Sequence, residues 1–229
     1  MQIVELAPAD WHEHVAHALV STIRQALASQ ERFHLVLSGG TTPRALYAYL
    51  ATPEMQKGVA WERVHLWWGD ERYVPPTDSR SNFRMAYEAW LAHGAVPREN
   101  WHPMPTDCAE PEACAQRYEA ELRQIWGDAL PAFDLTLLGL GEDGHTASLF
   151  PGNSALHETE RWVAVGHAPT EPRIRLTLTF PVLNASQRVW FLVAGESKRP
   201  VLERVWQGDP ALPASRIQPV GELRWWVIR

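Results

Sequence analysis

Apolar positions along the chain alternate between two rhythms, one helical and one extended. Trp11, Val15, Ala18, Leu19, Thr22, Ile23, Ala26 and Leu27 recur at helical spacing behind Asp10, a capping residue type. They predict a helix to about Ser29. Phe33 to Leu37 is a short run of β formers, broken by Ser38-Gly39-Gly40-Thr41-Thr42-Pro43. Arg44 to Leu50 reads as a helix, with Pro43 tolerated in its first turn. Val64 to Trp68 is a second strand ending in Gly69-Asp70-Glu71-Arg72 and a proline-marked loop. Ser81 is placed to cap a helix from about Asn82 to Leu91. Residues 97 to 111 carry four prolines and read as irregular surface. Glu112 to Trp126 is again helical.

Phe133 to Leu138 reads as a buried strand. It runs into Gly139-Leu140-Gly141-Glu142-Asp143-Gly144-His145-Thr146-Ala147-Ser148-Leu149-Phe150-Pro151-Gly152. Three glycines in six residues let the backbone turn sharply and come close to a ligand. Trp162 to Val165, Ile174 to Leu178, Val189 to Val193 and Arg224 to Ile228 follow as strands. A helix from Lys198 to about Trp206 lies before the last. Strands alternating with helices predict an α/β fold with a mainly parallel sheet covered on both faces. No repeat or linker divides the chain, so residues 1–229 are expected to form one domain.

Composition narrows the function. The formal net charge is −6, and nucleic-acid binders present a basic face, so that class is set aside. No apolar stretch is long enough to span a bilayer, and the N-terminus lacks the basic-then-apolar layout of a signal peptide. A cytoplasmic protein without membrane contact is expected. The two cysteines, Cys108 and Cys114, match no common zinc spacing even with His102 nearby, and are expected to be reduced thiols. The twelve tryptophans are scattered, which predicts packing rather than one aromatic site.

Three stretches carry candidate chemistry. Gly39-Gly40 between a strand and a helix leaves backbone N–H groups to face an anion, and Ser38, Thr41 and Thr42 add hydroxyls. Phosphate is the natural ligand; a plain tight turn is the alternative. The turn is neither a Walker loop nor a dinucleotide fingerprint, which argues against ATP and NAD. At the second strand end, Arg72 is suited to stabilising developing negative charge and Asp70 to acting as a base or orienting a partner. Glu71 is expected to hold the loop through a salt bridge. In the third stretch, His145 is the leading general base, because imidazole is the side chain suited to moving protons near neutral pH, with Asp143 two residues away to orient it or merely cap the segment. Lys198, Arg173 and Arg175 are candidate phosphate contacts. His93, His102, His157 and His167 are expected at the surface or in packing.

Together these motifs resemble the 6-phosphogluconolactonase family, within the group that includes glucosamine-6-phosphate deaminases. The resemblance rests on Ser38 to Pro43, Trp68 to Pro75, Ser81-Asn82-Phe83 and, above all, Gly139 to Pro151. Weaker echoes are Leu176-Thr177-Leu178, Pro181 to Asn184, Gly195 to Lys198 and Leu212 to Ser215. It implies a Rossmann-like three-layer α/β/α fold, hydrolysis of a phosphosugar lactone in the oxidative pentose phosphate pathway, and no metal or organic cofactor; a monomer is expected. It places the base on His145, its aspartate on Asp143, the loop arginine on Arg72 and phosphate contacts on the Gly39-Gly40 turn and Lys198. Two departures stand out. Ala168-Pro169 is followed by Thr170-Glu171 where many members carry a lysine, leaving Arg173 or Arg175 to replace it. Ile228 stands where many carry an aspartate near the last Trp.

Two other readings remain in view. An amino-sugar phosphate deaminase would use Asp70 at carbon 2, but that pattern has Asp-Glu-Tyr and an Asn-Glu-Pro run. Here Arg72 follows Glu71, and Thr146 to Pro151 replaces the run. A non-catalytic sugar-phosphate binder on the same fold would need neither His145 nor Asp143.

Overall fold

The computed structural model describes residues 1–229. In chain order the elements are β1 (Gln2–Leu6), α1 (Trp11–Leu27), β2 (Phe33–Leu37), α2 (Thr41–Leu50), the short α3 (Pro53–Gln56), β3 (Val64–Trp68), β4 (Asp70–Arg72) and α4 (Asn82–Ala86). Then come β5 (Trp101–His102), α5 (Pro111–Trp126), β6 (Leu135–Gly139), β7 (Val163–His167), β8 (Ile174–Leu178) and α6 (Phe180–Asn184). The chain finishes with β9 (Arg188–Ala194), α7 (Arg199–Trp206) and β10 (Glu222–Ile228).

Seven strands form one sheet in the order β1-β10-β9-β6-β2-β3-β5, and all its pairings are parallel. Helices flank it, giving the expected three-layer Rossmann-like α/β/α architecture. Strands buried on both faces need no polar alternation, which is why β2, β6 and β9 are mostly apolar, with His34 and Thr136 the polar exceptions inside β2 and β6. Leu35, Val36, Leu137, Trp190 and Phe191 are all fully buried. The adjacent Trp67 and Trp68 show the two faces. Trp67 stacks on His102 at 3.9 Å and meets Trp126 and Phe133, whereas Trp68 meets Phe83. None of the tryptophans is exposed, so the packing expectation holds for all of them.

From β2 the chain works outward through β3 to β5. It then returns to β6 on the other side of β2 and continues to β9 and β10, while β1, the first strand of the chain, pairs with β10 at that edge. The β2–β6 neighbours are thus where the winding reverses, and open sheets of this type place ligands beyond the carboxyl ends of such strands. Both glycine-rich stretches emerge there.

Several features differ from the sequence-based expectations. A second, antiparallel sheet, β4-β8-β7, sits beside the main one. Its member β4 is three residues long and has no strand signal of its own, because only pairing with β8 makes it a strand. Edge strand β1 carries little apolar burial and takes its conformation from parallel pairing with β10. The helix expected from Asn82 to Leu91 widens after α4 into a π-helical turn, Tyr87–Leu91, in which Ala92 N–H donates to the Tyr87 carbonyl at 2.9 Å. Ser81 caps α4 as expected, accepting from Arg84 N–H. Asp10 holds the N-cap position of α1, but its side chain makes no capping bond; its backbone is outside the extended region that aims a capping oxygen inward.

The cysteines are corrected too. Cys108 and Cys114 form a disulfide, not two thiols, with their Cα atoms 5.6 Å apart. The proline-rich segment turns back onto the first turn of α5 and brings them together. No helix is long and apolar enough to cross a membrane.

Candidate active site

The cleft at the β2–β6 reversal is lined by the Ser38–Pro43 turn, Asp70, Arg72, Asn82, Gly139 to Gly141, His145, Ala147, Leu192 and Lys198. It gathers residues from six places in the chain: the β2–α2 turn, β4, α4, β6 with the loop after it, β9, and the turn before α7. Almost all are polar groups or bare backbone, which suits a hydrophilic ligand.

His145 follows β6 in a tight turn closed by Gly144 N–H to the Gly141 carbonyl at 3.0 Å and Gly141 N–H to the His145 carbonyl at 2.9 Å. The ring lies over the backbone of Gly141, where an added Cβ would fall 2.0 Å from Nδ1; only glycine permits that approach. Phe150 flanks the ring at 4.3 Å. Asp143 Oδ1 accepts from His145 N–H at 3.1 Å and from Nδ1 at 2.5 Å. It therefore both caps the turn and orients the ring. Burial pulls the Asp143 carboxyl upward, but the side-chain and backbone hydrogen bonds from His145 outweigh it and hold the group below its usual value. An ionised carboxylate only accepts, so the shared proton sits on Nδ1 and Nε2 is left as the basic nitrogen. Nε2 makes no hydrogen bond to the protein, and the ring lines the cleft.

The segment after His145 is anchored from below. Thr146 Oγ1 donates to the Gly139 carbonyl at 2.9 Å. Ser148 Oγ donates to Asp70 Oδ2 at 2.7 Å, and Ser148 N–H reaches Thr177 Oγ1 at 3.3 Å. Between them Ala147 is the one non-glycine residue at positive φ, +48°. That left-handed conformation is costly for a residue with a Cβ, and it lies in the cleft wall.

Across from His145, Ser38 to Thr42 leads from β2 into α2. Ser38 is fixed by Tyr47, whose hydroxyl accepts from Ser38 N–H and donates to its carbonyl, each at 2.9 Å. Burial raises the Tyr47 phenol far above its ordinary value, so it stays neutral. The first N–H groups of α2 have no acceptor within the helix, and they point into the cleft with its positive dipole end. Lys198 completes this side. Burial lowers its ammonium pKa, against the opposing pull of Glu142. The turn bearing Lys198 is tethered to the histidine loop by Ser197 Oγ donating to Glu142 Oε1 at 3.0 Å.

The arginines separate. Arg72 lines the cleft; one of its terminal nitrogens donates to the Arg80 carbonyl at 2.7 Å, and its buried Nε has no partner. Arg175 does not reach the cleft wall. It is 7 % exposed, lies opposite Arg72 in the β4–β8 ladder, and its Nε is also unpartnered. Burial and the neighbouring Arg72 charge lower its pKa. Arg173 is at the surface, paired with Glu171.

Glu71 makes no salt bridge, contrary to expectation. Its buried carboxylate accepts from the backbone N–H groups of Arg72, Asn82 and Phe83, each at 2.7 Å, and from Ser81 Oγ at 3.2 Å. Burial drives its pKa up to about 7, against the pull of those three N–H groups. Thus Glu71 clamps the start of α4 to the tail of β4 and sets Asn82 in the cleft wall. Asn82 was legible only as part of a motif; nothing in its local sequence gave it a place in the site. Of the four histidines set aside, His93, His157 and His167 are exposed. His102 packs in a stack with His65 and Trp67.

Known proteins resemble this chain over nearly its whole length. Residues 7–226 match the family of glucosamine-6-phosphate isomerases/6-phosphogluconolactonase. The 6-phosphogluconolactonase of Synechocystis sp. is 46% identical over 213 residues, covering 90% of this chain and 86% of that protein. That of Nostoc sp. is 42% identical over the same length and coverage. The crystal structure of 6-phosphogluconolactonase from Thermotoga maritima superposes with a TM-score of 0.88 at 31% identity, covering 100% of this chain and 99% of that one. With a match of this extent, the chain belongs to the glucosamine-6-phosphate isomerase/6-phosphogluconolactonase family.

Proposed function

We propose that this protein hydrolyses 6-phospho-D-glucono-1,5-lactone to 6-phospho-D-gluconate, the lactone-opening step of the oxidative pentose phosphate pathway. The observation that carries the reading is His145. Its Nδ1 is held by an ionised Asp143 and its Nε2 is free, in the same cleft as a helix N-terminus and Lys198. Supporting it are the 6-phosphogluconolactonases that the chain resembles over nearly its whole length.

In this mechanism the Ser38–Thr42 turn and Lys198 hold the 6-phosphate and fix the distance to the lactone carbonyl. Nε2 of His145 takes a proton from water as its oxygen bonds to carbon 1. Arg72 stabilises the oxyanion. When the bond from carbon 1 to the ring oxygen breaks, the imidazolium gives its proton to that oxygen, and the ring opens to the acid. Asp143 stabilises the imidazolium between the two steps. Asp70, held by Ser148 and Asn82, anchors the histidine segment rather than moving a proton. Arg175, behind Arg72, adds positive potential to the arginine side of the cleft. The lactone is already an activated ester, so one base plus positioning is enough.

The test follows lactone hydrolysis after subtracting the spontaneous rate, for wild type and Lys198→Ala. Wild type accelerates opening, and the variant raises KM by about tenfold with kcat little changed, since the lysine binds ground and transition states alike. A wild-type rate equal to the spontaneous one would overturn the assignment.

A further inference from the structure

Between the phosphate turn and the histidine the cleft contains one neutral side chain fixed on every side, Asn82. It is 2 % exposed yet lines the cleft. Its Nδ2 donates to the Asp70 carbonyl at 2.9 Å and to Asp70 Oδ1 at 3.3 Å. Both of those atoms are acceptors, so the amide has one permitted orientation: nitrogen toward Asp70, oxygen away from it. Its backbone N–H is held by Glu71 Oε1. Oδ1 therefore leans over Gly39, where a Cβ would fall 1.9 Å from it, and it accepts no hydrogen bond from the protein.

The surroundings restrict what this oxygen can receive. Apart from the Asp70 carboxylate, which is already engaged by Asn82 Nδ2 and Ser148 Oγ, the neighbouring cleft groups include donors and cations: the first N–H groups of α2, the hydroxyls of Thr41 and Thr42, Arg72 and Lys198. These suit a phosphate and a developing oxyanion. An acceptor with no donor of its own is instead matched to a hydroxyl. We infer that Asn82 Oδ1 accepts a hydrogen bond from a ring hydroxyl of the lactone. This makes Asn82 the residue that selects a hydroxylated sugar lactone over a less oxygenated phosphorylated lactone. The inference rests on the lactonase reading above. Its energetic basis is asymmetric: a deoxy lactone that fills the cleft leaves the confined Oδ1 unpaired, whereas the natural substrate satisfies it.

The experiment compares kcat/KM for 6-phosphogluconolactone and for the three lactones lacking the 2-, 3- or 4-hydroxyl in turn, in wild type and Asn82→Ala. In wild type, removing one particular hydroxyl costs about tenfold or more. In Asn82→Ala the natural substrate loses a similar factor, and the penalty for that same hydroxyl shrinks to within about twofold. A merely structural role would lower all four rates together and keep the penalties. If the alanine variant does not fold, Asn82→Ser, whose hydroxyl is too short to reach, makes the same comparison. Undiminished discrimination in the variant, or no penalty for any deoxy lactone in wild type, overturns the inference while leaving the lactonase reading intact. Wild-type failure on 6-phosphogluconolactone itself overturns both.

Discussion

Two histidine–carboxylate pairs of nearly equal length occur in this protein, with opposite character. His145 Nδ1 meets Asp143 Oδ1 at 2.5 Å at the mouth of the sheet, and His102 Nδ1 meets Glu121 Oε1 at 2.6 Å on its flank. In the first, the far nitrogen faces an open cleft. In the second, the far nitrogen is consumed: His102 Nε2 lies 3.0 Å from His65 Nδ1. His65 in turn stacks on His34, whose Nδ1 accepts from Trp67 Nε1 at 3.2 Å. Each imidazole on the flank has a neighbour that fixes its tautomer and covers its face. The pair itself does not make a general base. What singles out His145 for the proposed base role is an unpartnered nitrogen facing a ligand-sized space.

Substitutions at the two pairs sharpen that contrast. His145→Ala is expected to lower kcat by roughly 10²–10⁴ while leaving phosphate-dependent affinity largely in place, as measured by product inhibition. Asp143→Asn keeps the shape but removes the charge that stabilises the imidazolium; kcat should fall roughly ten- to hundredfold. A variant with wild-type turnover would show that Asp143 only caps the loop.

The flank should instead appear in stability against pH. Burial, and then the neighbouring His65 and His102, push His34 down to about 3, from an ordinary 6.5. The folded state therefore binds fewer protons than the unfolded chain between these values. The stability this contributes is complete above pH 6.5 and lost progressively as pH falls toward 3. At about pH 5, His34 alone accounts for about 2 kcal/mol, readable as a lower urea midpoint than at pH 7. His34→Gln should flatten that dependence; an unchanged slope would place its source elsewhere. The smallest effect belongs to Glu121→Gln. It should cost about 1 kcal/mol of stability and change kcat less than about twofold. A large drop in turnover would join the two regions that the geometry separates.

This division also marks what the sequence made visible. Strand, glycine turn and helix from Phe33 to Leu50 were legible because apolar runs, paired glycines and Pro43 act locally. His145 was legible because Asp-Gly-His follows a buried strand. Asn82 was not, since its place depends on Glu71 clamping α4 and on Gly39 leaving room, and both relations are tertiary. The histidine stack was hidden for a similar reason: His34, His65 and His102 sit on three strands, and only the β2–β3–β5 register brings them together. Nor did the spacing of Cys108 and Cys114 indicate that the loop between them folds back onto α5. Arg175 was placed at a strand, correctly, but its depth behind Arg72 follows from the small antiparallel sheet, which the short β4 concealed.

The bond from Ser148 Oγ to Asp70 joins positions 78 residues apart, and β4 finds its partner only in β8. During synthesis, the phosphate turn and its helix can form early from local contacts. The arginine wall has to wait until the chain has been made past Leu178. Long-range closures of this kind are slow relative to helix formation. The nascent protein would then carry half a cleft, to which the arginine wall and, later still, Lys198 are added, with hydrolytic competence arriving as one of the last events of folding.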